Sequence, residues 1–392
     1  MRTPLAWYNV TYNKVRTAVA AAGVAFAVVL VFMQLGFLGS VETTVTRFFD
    51  AMNFDLMLRT PKYLHLSDTR SFPLRRLLQA GEVSGVKSAT PMQIGLARWR
   101  SPSTSRARGI LIIGVQPEQE TFKIPEICEK TRLLTDQQSI LIDRKSRKEF
   151  GPQNGQTFSD ADLGIDAEIN GRRVTIVGHF ELGTGLTADG CILANLMAFS
   201  RFLPAQSPEE TSFGLIRLED GVDVGAAAER MREHLAGAMP AGEASDVEVL
   251  TRAEAIRYEL KRWVRETSIG TIFQLGVALS LVVGTVVVFQ VLSSDVTAHV
   301  RQYATLKAMG YTNRFLSGVV LAQAVALAFI SFVPGLLISA ALYQATSYFA
   351  NIPIVMNGGR IVGVLAMTIA MCAISGLGAL RKVWLADPAS LF

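Results

Sequence analysis

Charge is what this chain has least of. Only 18% of its 392 residues are Asp, Glu, Lys or Arg, where a water-bathed domain carries roughly a quarter, so much of the molecule must face something other than water. No G-x-x-x-x-G-K-[ST] occurs, which excludes a P-loop phosphate cradle on this polypeptide. H-E-x-x-H and G-x-S-x-G are missing too, and His65, His179 and His234 lie far apart, so nothing in the sequence gathers a convergent acid–base or nucleophilic site. Cysteines number three, with no C-x-x-C spacing and no neighbouring His, which argues against a metal knuckle. Cys372 lies in an apolar run. Cys128 and Cys191 lie in the polar middle, where they either pair in an oxidising compartment or stand as two unrelated thiols. Asp160, Asp162 and Asp166 lack the Gly and closing Glu of an EF-hand. ELGTGLTADG is rich in Gly but has neither a following Lys-Ser/Thr nor a strand-to-helix setting, so it reads as a loop. The net charge of +5 is scattered rather than patched, which leaves nucleic acid without a footprint.

What the chain does have is long uncharged runs. Residues 17–41 contain no ionisable side chain, and the core AVAAAGVAFAVVLVFMQLGFLG matches the roughly 20 apolar residues that cross about 30 Å of hydrocarbon. It exceeds a signal-peptide h-region and no A-x-A site follows, so it reads as an anchor. A second run covers 267–294, bounded by Glu266 and Asp295. From Phe315 to Gly359 charge is again absent, too long for one crossing, with Pro334-Gly335 inside it. A last run covers Ile361 to Leu380 and ends at Arg381-Lys382. Arg2, Lys14 and Arg16 precede the first run, while Arg301, Lys307 and Arg314 follow the second, so the positive-inside rule places both segments in the cytoplasm. One Pro-kinked helix from Phe315 then gives four spans and returns Arg381-Lys382 inside, whereas splitting the stretch into a tight pair gives five and puts them outside.

The roughly 220 residues between Glu42 and Arg265 are mixed and polar, enough for one or two packed lobes, and a single crossing puts them outside. Their pattern is α+β. FDLMLR, GVKSATPMQIGLARWR, ARGILIIGV, SILIDR, RRVTIVGHF and GLIRLE read as strands, and SFPLRRLLQAG and DVGAAAERMREHLAG as helices. FFDAMNF and EAIRYELKRWVRET read as helical continuations of the first two spans, a rigid stalk. The expected division is therefore a cytoplasmic 1–16, first span 17–41, α+β domain with stalk 42–266, second span 267–294, cytoplasmic segment 295–314, third span 315–346, outer loop 347–359, fourth span 360–380 and cytoplasmic 381–392.

The segment after the second span, DVTAHVRQYATLKAMGYTNRF, has the features of a short surface helix. Val300, Tyr303, Ala304 and Leu306 with Lys307 give an apolar and a basic side, and Gly310 ends it before the chain turns at Tyr311. Such a helix suits a partner's groove, and an ordinary juxtamembrane loop fits the periodicity equally. Within their uncharged runs the spans hold Gln34, Gln274, Gln290, Gln323 and Gln344 but no Asp, Glu, His, Lys or Arg, and Cys372 adds only a thiol, which suits interhelical bonding better than an ion or proton route.

ATLKAMGYT after a membrane span resembles the coupling segment of the MacB and FtsX superfamily of ABC transporter permeases. The opening PLAWYNVTYNKVRTAVAAAGVAFAVVLVFMQLGF, the FVPG kink and the closing ISGLGALRKVWLADPASLF are similar to DevC-type permeases, so the likeness covers nearly the whole chain. Two positions depart from it: family members often carry Glu where this chain has Gln302 and Ala324. The resemblance implies a non-catalytic homodimeric permease of the bacterial inner membrane with its large domain in the periplasm. ATP and Mg would be bound on a separate ABC ATP-binding subunit, with no cofactor on this chain. It further implies a tripartite efflux assembly with an HlyD-like membrane fusion protein and a TolC-like outer-membrane channel. ATPase coupling would fall on Val300, Tyr303, Ala304, Thr305, Leu306, Lys307, Ala308, Met309, Gly310 and Tyr311. Other members of the superfamily suggest two rival roles: an FtsX-like regulator of a cell-wall hydrolase, or a LolC/LolE-like lipoprotein-release permease.

Overall fold

The first helix, α1 (Lys14–Ala51), has 38 residues, and at 1.5 Å per residue it is about 57 Å long, roughly twice the hydrocarbon thickness. Its last turns therefore cannot lie in lipid. A computed structural model describes residues 14–101, 106–183, 188–239, 245–350 and 353–384. The opening PLAWYNVTYN and the closing ADPASLF lie outside the described residues.

Among the described residues four helices are long and apolar enough to cross a membrane: Thr17–Ala51, Gly270–Ala298, Asn313–Phe349 and Gly358–Ala379. The chain divides into two compact units, one built on these helices and the other on Ser40–Thr267.

The α+β unit opens with β1 (Leu56–Arg59), β2 (Phe72–Pro73), α2 (Leu74–Gly81), β3 (Val86–Arg100) and β4 (Ala107–Val115). Then come α3 (Pro125–Thr131), β5 (Ser139–Asp143), β6 (Asp166–Ile169), β7 (Arg172–Phe180), β8 (Cys191–Asn195) and α4 (Leu196–Phe202). It closes with β9 (Glu210–Thr211), β10 (Phe213–Leu218), α5 (Val224–Gly237), β11 (Glu248–Thr251) and α6 (Arg252–Lys261). The main sheet has the order β11-β1-β10-β3-β4-β8-β5-β7-β6, with an added β3–β6 pairing.

Two lobes share β3. Its first half, Val86 to Met92, pairs with β10, which gives β1-α2-β3 and β10-α5-β11 a split βαβ arrangement. Its second half, Gln93 to Arg100, pairs with β4 on one side, and Trp99 and Arg100 face Ile169 and Glu168 of β6 on the other. The circuit β3-β4-β8-β5-β7-β6 is thereby closed into a barrel, which removes the exposed edges that a six-stranded sheet would leave. Side-chain alternation fills it with Trp99, Ile110, Ile140, Ile169, Ile176 and Ile192, and α4 adds Phe199 and Phe202. The split βαβ lobe has its own core of Leu56, Leu58, Leu77, Ile216, Met231 and Leu235. A third cluster joins the two, with Val45, Phe48 and Phe49 of α1 packed among Met57, Leu215 and Leu250 of the first lobe and Leu111, Leu141 and Leu193 of the barrel.

The expected strands and the two expected helices of this unit are all present. Short elements escaped the pattern: β6 and β11 have four residues each, and β8, with the single run Cys-Ile-Leu-Ala-Asn, shows no alternation. The stalk differs from expectation. The α1 helix stops at Ala51, and Met52 forms a bridge with Phe122 instead. After α6 the chain passes through a π turn, Arg262–Glu266, and Thr267 is extended at φ −96°, ψ 152°. Thr267 N–H donates to Arg262 O and its hydroxyl to Trp263 O, which seals the helix end. The second stalk is thus an interrupted rod.

The membrane unit comprises α7 (Ser268–Ala298), α8 (Val300–Ala308), α9 (Asn313–Ala350) and α10 (Gly358–Trp384), with the first part of α1. Pro334 sits inside α9 without ending it, so one helix runs from Asn313 to Ala350, as the four-span reading expects. Packing here uses small residues. A Cβ on Gly36 would lie 2.6 Å from the Tyr343 hydroxyl, and one on Gly335 would lie 2.8 Å from Val28 Cγ1. Tyr343 donates its hydroxyl to Phe32 O across the same contact.

Candidate functional site

Helix α8 is a short element, firmly capped at its C-terminal end. Gly310, at φ 92°, takes the left-handed position that a side chain resists. Its N–H donates to Lys307 O at 2.9 Å and Tyr311 N–H to Leu306 O at 3.1 Å, the double bond of a Schellman stop. Two residues later Thr312 caps α9: its carbonyl and hydroxyl both accept from Phe315 N–H, and the carbonyl accepts from Leu316 N–H as well. The turn Gly310-Tyr311-Thr312 is therefore fixed by both helices that it joins.

The apolar residues of α8 do not all point outward. Tyr303 and Ala304 are each 3% exposed and pack inward, so neither reaches a partner surface. Val300, Leu306 and Lys307 are half-buried, and Thr305, Ala308 and Gly310 are exposed. The outward apolar side chains are Met309 at 63%, Tyr311 at 46% and Phe315 at 41%, with the Tyr311 and Phe315 ring centroids 4.8 Å apart. Phe315 opens the uncharged run of the third span, so hydropathy alone conceals its outward position. The signal that could have found it is the Tyr311/Phe315 spacing of four across a helix start. Of the two departures from the family, Gln302 is exposed and Ala324 is fully buried. A Cβ on Gly376 would lie 3.3 Å from Ala324 Cβ, so α9 and α10 cross too closely there for a glutamate.

The α+β unit holds its ionisable groups in structural roles. Asp143, 1% exposed, accepts from the backbone of Lys145, Leu182 and Gly183, although burial pushes its carboxyl above the usual range. Asp162 accepts from Gln153 and Ser159 N–H, and Asp166 is paired with Arg173 and Thr175. His179 bridges Asp160 at 2.6 Å and Lys130 at 3.4 Å, and that hydrogen bond holds the Asp160 carboxyl below its ordinary value. His65 accepts from Ser67 N–H, and His234 lies in the last turn of α5. Cys128 and Cys191 are free thiols, so of the two alternatives the unpaired one holds. The Gly-rich stretch has no regular structure at 181–183 and 188–190; 184–187 lie outside the described residues. Among the described residues no three His, Cys, Asp or Glu converge as a metal group.

Buried polar groups also do their work at the ends of the stalk. Glu259, 1% exposed, accepts from Tyr63 Oη at 2.5 Å, Trp263 Nε1 at 2.8 Å and Leu66 N–H at 3.2 Å. Burial raises its carboxyl above the usual glutamate value and pushes the Tyr63 phenol well up. In the spans, Gln34 lies against Gly276, while Gln323, 2% exposed, has no hydrogen-bond partner for either amide atom among the described residues. At Gln323 the expected interhelical bond is not made.

Four lipid-length helices with an α+β domain between the first and second define an integral membrane protein of the permease type. The MacB-like periplasmic core domain matches residues 17–234 and the FtsX-like permease C-terminal domain residues 275–385. The chain belongs to the MacB/FtsX superfamily of ABC transporter permeases. Among solved structures, the periplasmic region of MacB from Actinobacillus actinomycetemcomitans is 11% identical with a TM-score of 0.36, over 53% of this chain and 93% of that one. The extracellular domain of the noncanonic ABC-type transporter YknZ from Gram-positive bacteria is 14% identical with a TM-score of 0.34, over 51% and 100%. No curated protein matches.

Proposed function

We propose that this chain is the permease subunit of a MacB/DevC-type exporter, which transmits ATP-driven motion from a separate ATP-binding subunit to an extracytoplasmic domain. ATP and Mg belong to that subunit, and this chain carries no cofactor of its own. The reading places the chain as a homodimer in a bacterial inner membrane with the α+β domain in the periplasm. An HlyD-like fusion protein and a TolC-like channel complete the export path.

The observation that carries the reading is the rigid turn after α8. Met309, Tyr311 and Phe315 are presented from a double cap, so a force applied there is not lost in a floppy loop. Exposed aromatics beside a methionine are the composition of a protein-contact hot spot. The docking side is therefore Thr305, Ala308, Met309, Gly310 and Tyr311 with Phe315, while Tyr303 and Ala304 seat the helix on its own unit. The test is Tyr311→Asp in the full-length chain co-expressed with its ATP-binding subunit. Affinity between the subunits should fall roughly thirtyfold, the loss of about 2 kcal/mol expected at a hot-spot aromatic, with membrane insertion unchanged. Wild-type affinity in that variant would count against the assignment.

A further inference from the structure

The end of α1 is fastened with unusual thoroughness. Asn53 N–H donates to Thr121 O at 2.9 Å and Lys123 N–H to Ala51 O at 2.7 Å, which ties the end to the barrel lobe. Asp55 N–H donates to Ile216 O at 2.8 Å, Leu218 N–H to Asp55 Oδ2 at 2.9 Å and Arg217 Nη1 to Asn53 Oδ1 at 2.9 Å, which ties it to β10. Arg252, the first residue of α6, completes the set. Its guanidinium donates to Phe49 O, to Met52 O at 2.9 Å and to Phe54 O at 2.5 Å, and it lies 4.0 Å from the centre of the Phe54 ring. The Asp50 carboxylate is 3.8 Å away.

A helix end needs partners for its last carbonyls, and water or a local side chain ordinarily supplies them. Here the donor comes from an element about 200 residues away and grips carbonyls both inside the helix and beyond its end. Arg suits this because its planar fork holds several donors in fixed directions. A joint meant to bend would show the opposite pattern, with free backbone groups and few ties. The chain that leaves Arg252 is the one that leads, through α6 and the π turn, to the second span.

We infer that Arg252 is a positioning residue for force transmission: it fastens the end of α1 to the start of α6, so that displacements of both reach the β-sheet together. This rests on the transmission role proposed above. Three of the other ties are backbone bonds, and the Asp55 and Asn53 side chains reach β10; Arg252 is the side chain that joins the helix end to α6, and its substitution touches no ladder bond.

The experiment is hydrogen exchange by mass spectrometry on the full-length chain with its ATP-binding subunit in lipid nanodiscs, with ATP and vanadate and without nucleotide. In Arg252→Ala, exchange over residues 49–55 and 121–123 should rise about tenfold more in the nucleotide-trapped state than without nucleotide. A rise of equal size in both states means a helix cap and nothing more, and overturns the inference, as does no rise. If Arg252→Ala does not accumulate, Arg252→Lys, which keeps the charge and loses the fork, carries the same comparison with a ratio of about threefold. A wild-type α+β unit that shows no nucleotide response anywhere would sink the transmission role itself, and the lock with it. A wild-type response that Arg252→Ala leaves unaltered sinks the lock alone.

Discussion

The α+β unit and the helical unit solve the same problem with different chemistry. In the first, polar side chains such as the buried Glu259 and Asp143 and the half-buried Arg252 have several partners each, and those bonds set which loop lies against which helix. In the second, Gln323 is buried with no partner among the described residues, while glycines at 36, 276 and 335 let bulky side chains of a neighbouring helix approach closely. Water explains the contrast. Burial of apolar surface supplies cohesion to the α+β unit without specifying one arrangement, and polar bonds then choose among arrangements. Lipid offers no such drive between apolar helices, so close packing, joined by a bond such as that from the Tyr343 hydroxyl to Phe32 O, selects the contact.

The largest effect should come from breaking a polar node. Glu259→Ala removes the acceptor from Tyr63, Trp263 and Leu66 N–H, all of them buried. Orphaned donors of this kind should cost about 3 kcal/mol, read as a lowered thermal midpoint of the detergent-solubilised chain by tryptophan fluorescence. An unchanged midpoint would mean that polar bonds do not specify this unit.

The same carboxyl gives a pH dependence. Burial raises the Glu259 value in the folded state, so the folded chain holds this proton more tightly than the unfolded one. Its contribution is complete below the ordinary glutamate value of about 4.5 and is lost as pH rises through the folded value. The stability gap between the wild type and Glu259→Ala should therefore narrow as pH is raised above about 4.5. A gap that widens over that range contradicts the direction of the shift.

A smaller effect should separate two glycines of the helical unit. Gly36→Ala places a Cβ 2.6 Å from the Tyr343 hydroxyl, an overpacking that costs about 1–3 kcal/mol. Gly363 has nothing within 4 Å of a built Cβ, so Gly363→Ala should be neutral or gain about 0.5 kcal/mol from helix propensity. Equal midpoints for the two variants in a thermal-shift assay would remove the case that close approach selects the helix contacts.

Legibility in the sequence follows the same divide. Span number and strand identity were readable because a lipid-length run or a long alternation repeats its signal over many residues, as in β3 and α1. The barrel closure was not, since Trp99 meets Ile169 through a pairing that no local pattern announces. Nor was the break at Thr267, where a π turn ends a segment of good helix formers. The Gly310 stop of α8 was legible as well, but the side of α8 that faces outward was not. Periodicity places Tyr303 and Ala304 on a face without saying which face turns inward, and the three side chains that do turn outward straddle the turn rather than lying on α8.

The finest distinction concerns the two thiols of the α+β unit. Cys191 is fully buried on the barrel strand β8 and Cys128 is half-buried on α3, donating to Phe122 O at 3.0 Å. Burial pushes both above the ordinary thiol range, Cys191 furthest. Only the thiolate attacks a maleimide, so the fraction available at neutral pH is small for either. In the native full-length chain Cys128 should label slowly, with a rate that is still climbing past pH 9, while Cys191 labels only after denaturant opens the barrel. Mass spectrometry after a timed maleimide pulse reads both sites at once. Comparable native labelling would mean that the closed barrel opens on the timescale of the pulse, and that its β3–β6 seam, rather than the glycine-packed helices, is the weaker of the two constructions.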